Sequence, residues 1–186
     1  MGIALAECAS QMGAEVNLVL GPVYIEVQSE DINVINVTTA DSMAEVCKSC
    51  FSDCDIAILA AAVADYTPVL VSDHKIKKER GNMLLELKPT VDIAATLGKI
   101  KKPNQLIVGF ALETNDELEN SRKKLVSKNM DVIVLNSLND AGAGFGFDTN
   151  KITMIDRNNI IDKFELKSKN ETSRDILQKV ISMIHK

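Results

Sequence analysis

Two continuous apolar segments constrain the fold more than any other feature of the chain. They are residues 55–62 (DIAILAAA) and 105–112 (QLIVGFAL). Unbroken apolar runs of this length are typical of strands buried on both faces of a parallel sheet. Shorter strand patterns occupy residues 15–20, 32–38 and 131–136, and helical patterns separate the strands from one another. Strands that alternate with helices predict an α/β protein, and such sheets bind ligands beyond the carboxyl ends of their strands.

The helical segments follow from apolar periodicity and capping residues. The predicted helices are residues 1–12, residues 40–53 capped by Thr39 or Asp41, a short helix that opens near Thr90, residues 116–129, and an amphipathic helix at the carboxyl terminus. A loop with basic residues is followed by MLLELK (83–88). The segments KITMID and DKFELK flank Asn158-Asn159 and predict a hairpin. The whole pattern predicts a doubly wound, mostly parallel, Rossmann-like sheet with a hairpin and helix at its end.

Composition narrows the class of protein. The 186 residues fit one domain, and no apolar run is long enough to span a membrane. A net charge of -5 argues against nucleic-acid binding. Because no secretion signal precedes the first helix, we expect reduced cysteines and a cytoplasmic location. Cys47, Cys50 and Cys54 share an apolar helical stripe and lack a well-placed fourth ligand, which favours core packing over a metal site.

Charged residues near the predicted strand ends leave two interpretations open. Asp65 follows the strand at 55–62, where it either binds a ligand or caps a turn. Lys75 belongs to the basic run HKIKKER, which is either a solvated face or an anion site. Lys124 and Lys128 lie four residues apart on one predicted helical face, where they point to solvent or bind phosphates. The segment AGAGFGFD (141–148) matches no phosphate-loop pattern and is interpreted as a flexible turn.

Several stretches, taken in their order and spacing, resemble phosphopantothenoylcysteine synthetases. These stretches are AAAVADY, KIKK, VGFALET, the KN-x-D at 128–131, and GFGFDTNKITMI. The resemblance implies a CTP-dependent ligase of coenzyme A biosynthesis. In that family CTP and Mg²⁺ convert the carboxylate of 4′-phosphopantothenate to an acyl-cytidylate, which L-cysteine then attacks. It also implies a homodimer, and in bacteria a fused or associated decarboxylase half, the only part for which FMN is expected.

The resemblance also implies the site residues. Lys75 would stabilise charge on the phosphates while the cytidylate forms. The residues implied to contact the nucleotide are Leu59, Ala60, Ala61, Asp65, Lys75, Val91, Asp92, Ile93, Ala94, Phe110, Lys124 and Lys128. Val91 stands where the family usually has proline, and the identity of any metal ligand stays unknown.

One departure from the family is large. Family members begin this domain with a strand, a glycine-rich loop and a segment close to N-x-S-S-G-K-M-G, whereas residues 1–186 begin at the Met-Gly of that segment. We therefore expect one synthetase-like domain that lacks the first strand and is inactive by itself. Two other functions are weighed against the ligase: a nicotinamide- or flavin-binding oxidoreductase, and a non-catalytic nucleotide-binding remnant. Lys75 favours the ligase, because hydride transfer does not need a lysine cluster for a leaving pyrophosphate.

Overall fold

The computed structural model describes residues 1–78, 81–113, 116–137 and 148–184. Within these ranges the helices are α1 (Gly2–Gln11), α2 (Ala40–Phe51), α3 (Ile93–Ile100), α4 (Glu117–Ser127) and α5 (Lys169–Ile184). The strands are β1 (Val16–Leu20), β2 (Ile32–Asn36), β3 (Ile56–Leu59), β4 (Tyr66–Pro68), β5 (Leu87–Pro89), β6 (Leu106–Glu113), β7 (Val132–Ser137), β8 (Thr149–Asn150), β9 (Ile152–Asp156), β10 (Ile161–Lys163) and β11 (Lys167–Ser168). The predicted α/β class is confirmed. Most of the turn predicted at 141–148 lies outside the described residues.

The central sheet is mixed. Its five described strands stand in the order β10-β9-β7-β6-β3. β3, β6 and β7 run parallel, whereas β9 is antiparallel to β7 and β10 is antiparallel to β9. The hairpin predicted around Asn158-Asn159 is therefore present as β9–β10, and it extends the parallel part of the sheet.

The first two strands form a sheet of their own. β1 pairs in parallel with β2, in a register that joins Val16 to Ile32 and Leu20 to Asn36. In the part of the chain that the structure describes, β3 pairs only with β6. The prediction of a doubly buried strand over residues 55–62 was wrong in extent and burial. The strand ends at Leu59, and its residues are half-buried because one of its edges has no partner among the described strands.

The core lies on both faces of the central sheet, since neighbouring residues of each strand point to opposite sides. In β6, Val108 faces α1 and α5, whereas Ile107 faces α3 and α4. The cluster against α1 and α5 contains Leu5, Cys8, Val108, Val132, Val134, Ile152, Met154, Ile176, Leu177 and Val180. The cluster on the other face contains Phe51, Leu97, Ile107, Ala111, Leu125, Met130, Ile133, Leu135 and Ile155. Helices thus cover both faces, as the doubly wound pattern predicted.

Local sequence signals fix several element ends. Thr39 caps α2, and its hydroxyl accepts a hydrogen bond from the Ser42 amide at 3.0 Å. In the β9–β10 turn, Asn159 adopts a left-handed backbone with φ of 61°, a conformation that asparagine tolerates better than most residues. These two signals made the start of α2 and the position of the hairpin predictable.

The cysteine stripe of α2 is only partly buried. Cys47, Cys50 and Cys54 are all intermediate in exposure, and Cys54 packs against the core cluster that contains Phe51. Burial, together with the neighbouring thiols of Cys50 and Cys54, raises the pKa of Cys47 to about 11. All four cysteines are free, and a raised pKa makes the thiols of Cys47 and Cys54 poor nucleophiles.

An exposed arm joins β3 to α3. β4 and β5 pair antiparallel at its base, and the pairing extends to Val69, whose amide donates to the Glu86 carbonyl at 3.0 Å. Of residues 83–88, only Leu87 and Lys88 belong to a strand. The described part of the arm exposes many large apolar side chains, with Leu84 96% and Leu70 84% exposed.

Candidate active site

The carboxyl end of β3 lies beside the middle of β6. Leu59 pairs with Gly109, so that Phe110 stands one residue beyond Leu59 at the end of the parallel pair. The side chains of Ala60 and Phe110 pack toward α1 and α5, whereas Leu59 packs toward α3 and α4. Three of the predicted nucleotide residues therefore border both faces of the sheet at one edge, and Ala61 is exposed just beyond them.

The base of the arm brings Asp65 to the start of α3. The Thr90 amide donates to the Asp65 carbonyl at 2.9 Å, and the Thr90 hydroxyl donates to the Ala64 carbonyl at 2.6 Å. Val91 and Asp92 follow at once, so Asp65 lies beside the predicted nucleotide-contacting segment. The Asp65 side chain is exposed and has no hydrogen bond or ion pair with any described residue. Thr90 was not among the predicted site residues, although its hydroxyl ties the segment before Asp65 to the start of α3.

Asp92 is the most heavily bonded of the predicted residues. It caps α3, where its Oδ1 accepts from the Ala95 amide at 3.0 Å, and its Oδ2 lies 2.9 Å from the Lys128 Nζ. Partial burial acts to raise the pKa of the Asp92 carboxyl, but hydrogen bonds from the Ala95 amide and the Lys128 ammonium outweigh burial and lower the pKa below 3.8. Ile93 and Ala94 form the first turn of α3 and pack on the core.

The two lysines predicted to share one helical face take different positions relative to α4. Lys128 is the carboxyl-terminal cap of α4 rather than a residue inside it, and its side chain is 30% exposed. Lys124 lies one turn earlier, is half-buried and already has interaction partners. Lys128 is joined directly to another predicted site residue, Asp92.

Lys75 stays apart from this group. It lies on the exposed arm and makes no hydrogen bond or ion pair with any residue that the structure describes. Asp65, Val91, Asp92 and Lys128 are thus gathered by contacts, whereas Lys75 is not. Among the described residues, no group of three or more histidine, cysteine, aspartate or glutamate side chains is placed to hold a metal ion.

The fold is that of an α/β domain in which the residues after β3 meet the start of α3, where Asp92 pairs with Lys128. A family model described as the DNA/pantothenate metabolism flavoprotein C-terminal domain matches residues 1–184. The chain therefore belongs to this family.

Individual relatives agree with the family match. The chain is 60% identical, over 185 residues, to a protein of an unknown prokaryotic organism named cysteine/cysteine sulfinic acid decarboxylase, covering 100% of this chain and 52% of that protein. It is 46% identical, over 183 residues, to the coenzyme A biosynthesis bifunctional protein CoaBC of Bacillus subtilis (strain 168), covering 98% and 45%. The crystal structure of a CoaBC C-terminal domain superposes with a TM-score of 0.83 at 35% identity, covering 99% of this chain and 82% of that one. The chain spans about half the length of the curated relatives it matches.

Within the described residues, no helix combines the length and the apolarity needed to cross a bilayer.

Proposed function

We propose that this domain joins 4′-phosphopantothenate to L-cysteine through an acyl-cytidylate made from CTP. The observation that carries the proposal is the grouping of Asp65, Asp92 and Lys128 around the start of α3, in a member of this family. A carboxylate oxygen of phosphopantothenate attacks the α-phosphorus of CTP, and pyrophosphate leaves. The cysteine amine then attacks the acyl carbon, CMP leaves, and the amine loses a proton.

Two lysines supply positive charge to this chemistry. Lys75 carries an unpaired ammonium on an exposed arm, so it is available to the phosphates of a bound nucleotide. Fixed positive charge stabilises a phosphoryl-transfer transition state in which negative charge moves onto the leaving group. Lys128 is held beside α3, where it is suited to ground-state binding of the nucleotide. We therefore assign Lys75 mainly to catalysis and Lys128 mainly to binding.

The residues present fit the Mg²⁺ that accompanies a nucleoside triphosphate. Mg²⁺ in such sites is held by one or two carboxylates together with substrate phosphates. Asp65 offers an exposed carboxylate without a cation partner among the described residues, whereas Asp92 is already paired with Lys128. Asp65 is therefore the residue that would hold the ion, which would neutralise phosphate charge when bound. We expect FMN only for a decarboxylase half elsewhere in a longer protein.

The direct test uses the full-length protein that carries these residues. With CTP, phosphopantothenate, cysteine and Mg²⁺, we expect CMP and pyrophosphate in equal amounts, together with phosphopantothenoylcysteine. Parallel reactions with ATP decide the nucleotide. CTP binding without turnover would favour a non-catalytic remnant, and reduction of a nicotinamide or flavin would favour an oxidoreductase. Either result contradicts the proposal.

A second candidate function comes from the relative that is 60% identical, whose name is cysteine/cysteine sulfinic acid decarboxylase. This chain covers 52% of that protein. The decarboxylase activity in its name can therefore belong to the part that this chain does not match. The two candidate functions differ in whether cysteine reacts in the absence of CTP. Release of CO₂ from cysteine or cysteine sulfinate without CTP would favour decarboxylation, whereas product formation that depends on CTP favours the ligase.

We also propose that two copies associate through the arm, in a cytoplasmic protein. Large apolar side chains at least 40% exposed there are Tyr66, Val69, Leu70, Val71, Ile76, Met83, Leu84, Leu85 and Leu87. A monomer rarely leaves a patch of this kind open, and a standard interface buries about 800 Å² per partner. Light scattering should give twice the monomer mass, which is 20.3 kDa for residues 1–186. Leu84→Glu should dissociate the dimer, and a monomer at high concentration for the parent protein would contradict the proposal.

Finally, we propose that a further parallel strand fits between β1 and β3. In the described residues each of these strands has one unpaired edge, and unpaired backbone groups that are buried cost about 1–3 kcal/mol each. A chain extended by roughly 30 residues before Met1, about one strand and loop, should gain solubility and turnover together. Equal rates of product formation by the extended chain and by residues 1–186 would contradict this proposal.

A further inference from the structure

The backbone of Lys128 lies beside the far end of α3 from Asp92, and its side chain spans the distance between them. The Lys128 carbonyl lies beside Gly98, because a Cβ added to Gly98 would stand 2.0 Å from that oxygen. Gly98 follows Asp92 by six residues, which is about 9 Å along a helix axis. The lysine side chain therefore runs along α3 to place its Nζ 2.9 Å from the Asp92 carboxylate. A small rotation of the backbone at Lys128 would move the ammonium away from Asp92.

Asn129 fixes this backbone through three hydrogen bonds. Its Nδ2 donates to the Gly98 carbonyl at 2.7 Å, which ties the end of α4 to α3. Nη2 of Arg157 donates to the Asn129 carbonyl at 2.7 Å and to the Asn129 Oδ1 at 2.5 Å. Both ends of the side-chain amide are thus in use, one toward each neighbour. Asn129 also adopts a left-handed backbone with φ of 53°, which β-branched and most other residues avoid.

Close packing holds the same turn from two sides. Gly98 admits the Lys128 carbonyl only because it has no side chain. On the strand side, a Cβ on Gly109 would clash with the sulfur of Met130, at 2.3 Å. Residues 128–130 are therefore wedged between α3 and β6. A helix cap needs the left-handed conformation alone, so the bond from Asn129 to α3 and the two close approaches call for another explanation.

We propose that Asn129 is a positioning residue for the candidate active site: it orients Lys128 so that its ammonium meets Asp92 at the amino end of α3. The consequence for nucleotide binding rests on the proposed function, whereas the geometric link between Asn129, Lys128 and Asp92 does not. Gly98 serves the same link from the side of α3.

The first test follows the titration of Asp92 by NMR in the full-length protein without nucleotide. Asn129→Gly keeps the left-handed backbone but removes the side-chain bonds to Gly98 and Arg157. Because Lys128 helps to lower the pKa of Asp92, we expect that pKa to rise in the variant, toward the ordinary value of an aspartate. Gly98→Ala should have the same effect by displacing the Lys128 carbonyl. The matched control is Asn159→Gly, since Asn159 is also left-handed, with φ of 61°, but lies in the β9–β10 turn.

The second test is a double-mutant cycle on CTP binding by calorimetry. We expect Asn129→Gly to weaken CTP binding on the order of tenfold, the effect of losing one charge-assisted contact. In a Lys128→Ala background the same change should have no further effect, since its influence passes through Lys128. An unchanged Asp92 titration in Asn129→Gly, or an equal change in Asn159→Gly, would overturn the inference. So would a loss of CTP affinity that persists without Lys128. If the parent protein binds no CTP, the proposed function fails while the Asp92 titration still decides the inference.

Discussion

The amino and carboxyl ends of the parallel strands differ in how far their carboxylates are buried and paired. At the amino ends of β6 and β7, Asp131 is 5% exposed and accepts from Lys101 at 2.6 Å and from the Ile107 amide at 2.7 Å, and Arg157 lies 3.0 Å away. At the carboxyl ends, Asp65 is exposed and without a partner among the described residues. Asp92 lies between these extremes, 47% exposed and paired with one lysine. Buried and satisfied charge holds elements together, whereas open charge is available to a ligand.

The largest effect that this comparison predicts is on stability. Asp131→Asn leaves Lys101, whose side chain is 8% exposed, without its counter-charge. Breaking a buried pair in this way costs about 3–5 kcal/mol, so urea unfolding should show a loss of that size. The exposed pair of Glu119 and Lys123 provides the control, since Glu119→Gln should leave the free energy of unfolding nearly unchanged. Equal losses of stability in the two variants would contradict the distinction between buried and exposed carboxylates.

The next effect in size is on catalysis. Lys75→Gln should slow pyrophosphate release on the order of 100-fold, the usual effect of removing one group that stabilises transition-state charge. CTP affinity should change little, because the charge that Lys75 stabilises develops mainly in the transition state. The free energy of unfolding should also change little, because Lys75 has no partner in the described residues. Lys77→Gln, on the same exposed arm, is the matched control and should keep the parent rate. A parent rate in Lys75→Gln would show that this lysine has no part in cytidylate formation.

Asp156, which pairs with Val132 at the amino end of β7, predicts that stability depends on pH. Burial acts to raise the pKa of Asp156, but hydrogen bonds from the Ile160 amide and the Lys179 ammonium outweigh it and hold the pKa below 3.8. A depressed folded-state pKa stabilises the fold above the unfolded pKa, and this contribution disappears as the pH falls through the folded value. Asp156→Asn should therefore lose about 1–3 kcal/mol at pH 7. The difference from the parent should shrink as the pH falls below 4. A difference independent of pH would contradict an ionic origin.

Sequence patterns predicted the parts of the fold that depend on local chemistry. The cap at Thr39, the hairpin around Asn159 and the apolar strand β6 each have a signal within a few residues. The extent of β3 and the separate β1–β2 sheet depend on which strands become neighbours, and local patterns do not contain that information. The same limit explains why residues 55–62 were predicted to form one strand, although β3 ends at Leu59.

The candidate site divides along the same line. Resemblance placed Asp65, Asp92 and Lys128 together, and the structure joins them through Thr90 and a salt bridge. It did not identify the residues that hold the site in shape. Gly98 has a weak signal, since glycine inside a short helix often marks a close approach. Asn129 lies in the KN-x-D motif, but no local pattern predicts its role, because its contacts to Gly98 and Arg157 come from distant parts of the chain.

The smallest predicted effect is that of Asp65, the exposed and unpaired carboxylate of the comparison. Asp65→Ala removes a carboxylate with no bond to any described side chain, so unfolding should change by less than about 0.5 kcal/mol. CTP binding should weaken about tenfold with Mg²⁺ present, and by less without it, because we assign Asp65 to the ion that neutralises the phosphates. Asp73→Ala, an exposed aspartate on the arm, controls for the loss of a negative charge and should leave both affinities unchanged. If Asp65→Ala binds CTP equally well with and without Mg²⁺, or if a structure with CTP bound leaves Asp65 in solvent, the carboxylate has no role in the site. Its exposure would then describe a turn residue, and the open edge would owe its function to Lys75, Asp92 and Lys128 alone.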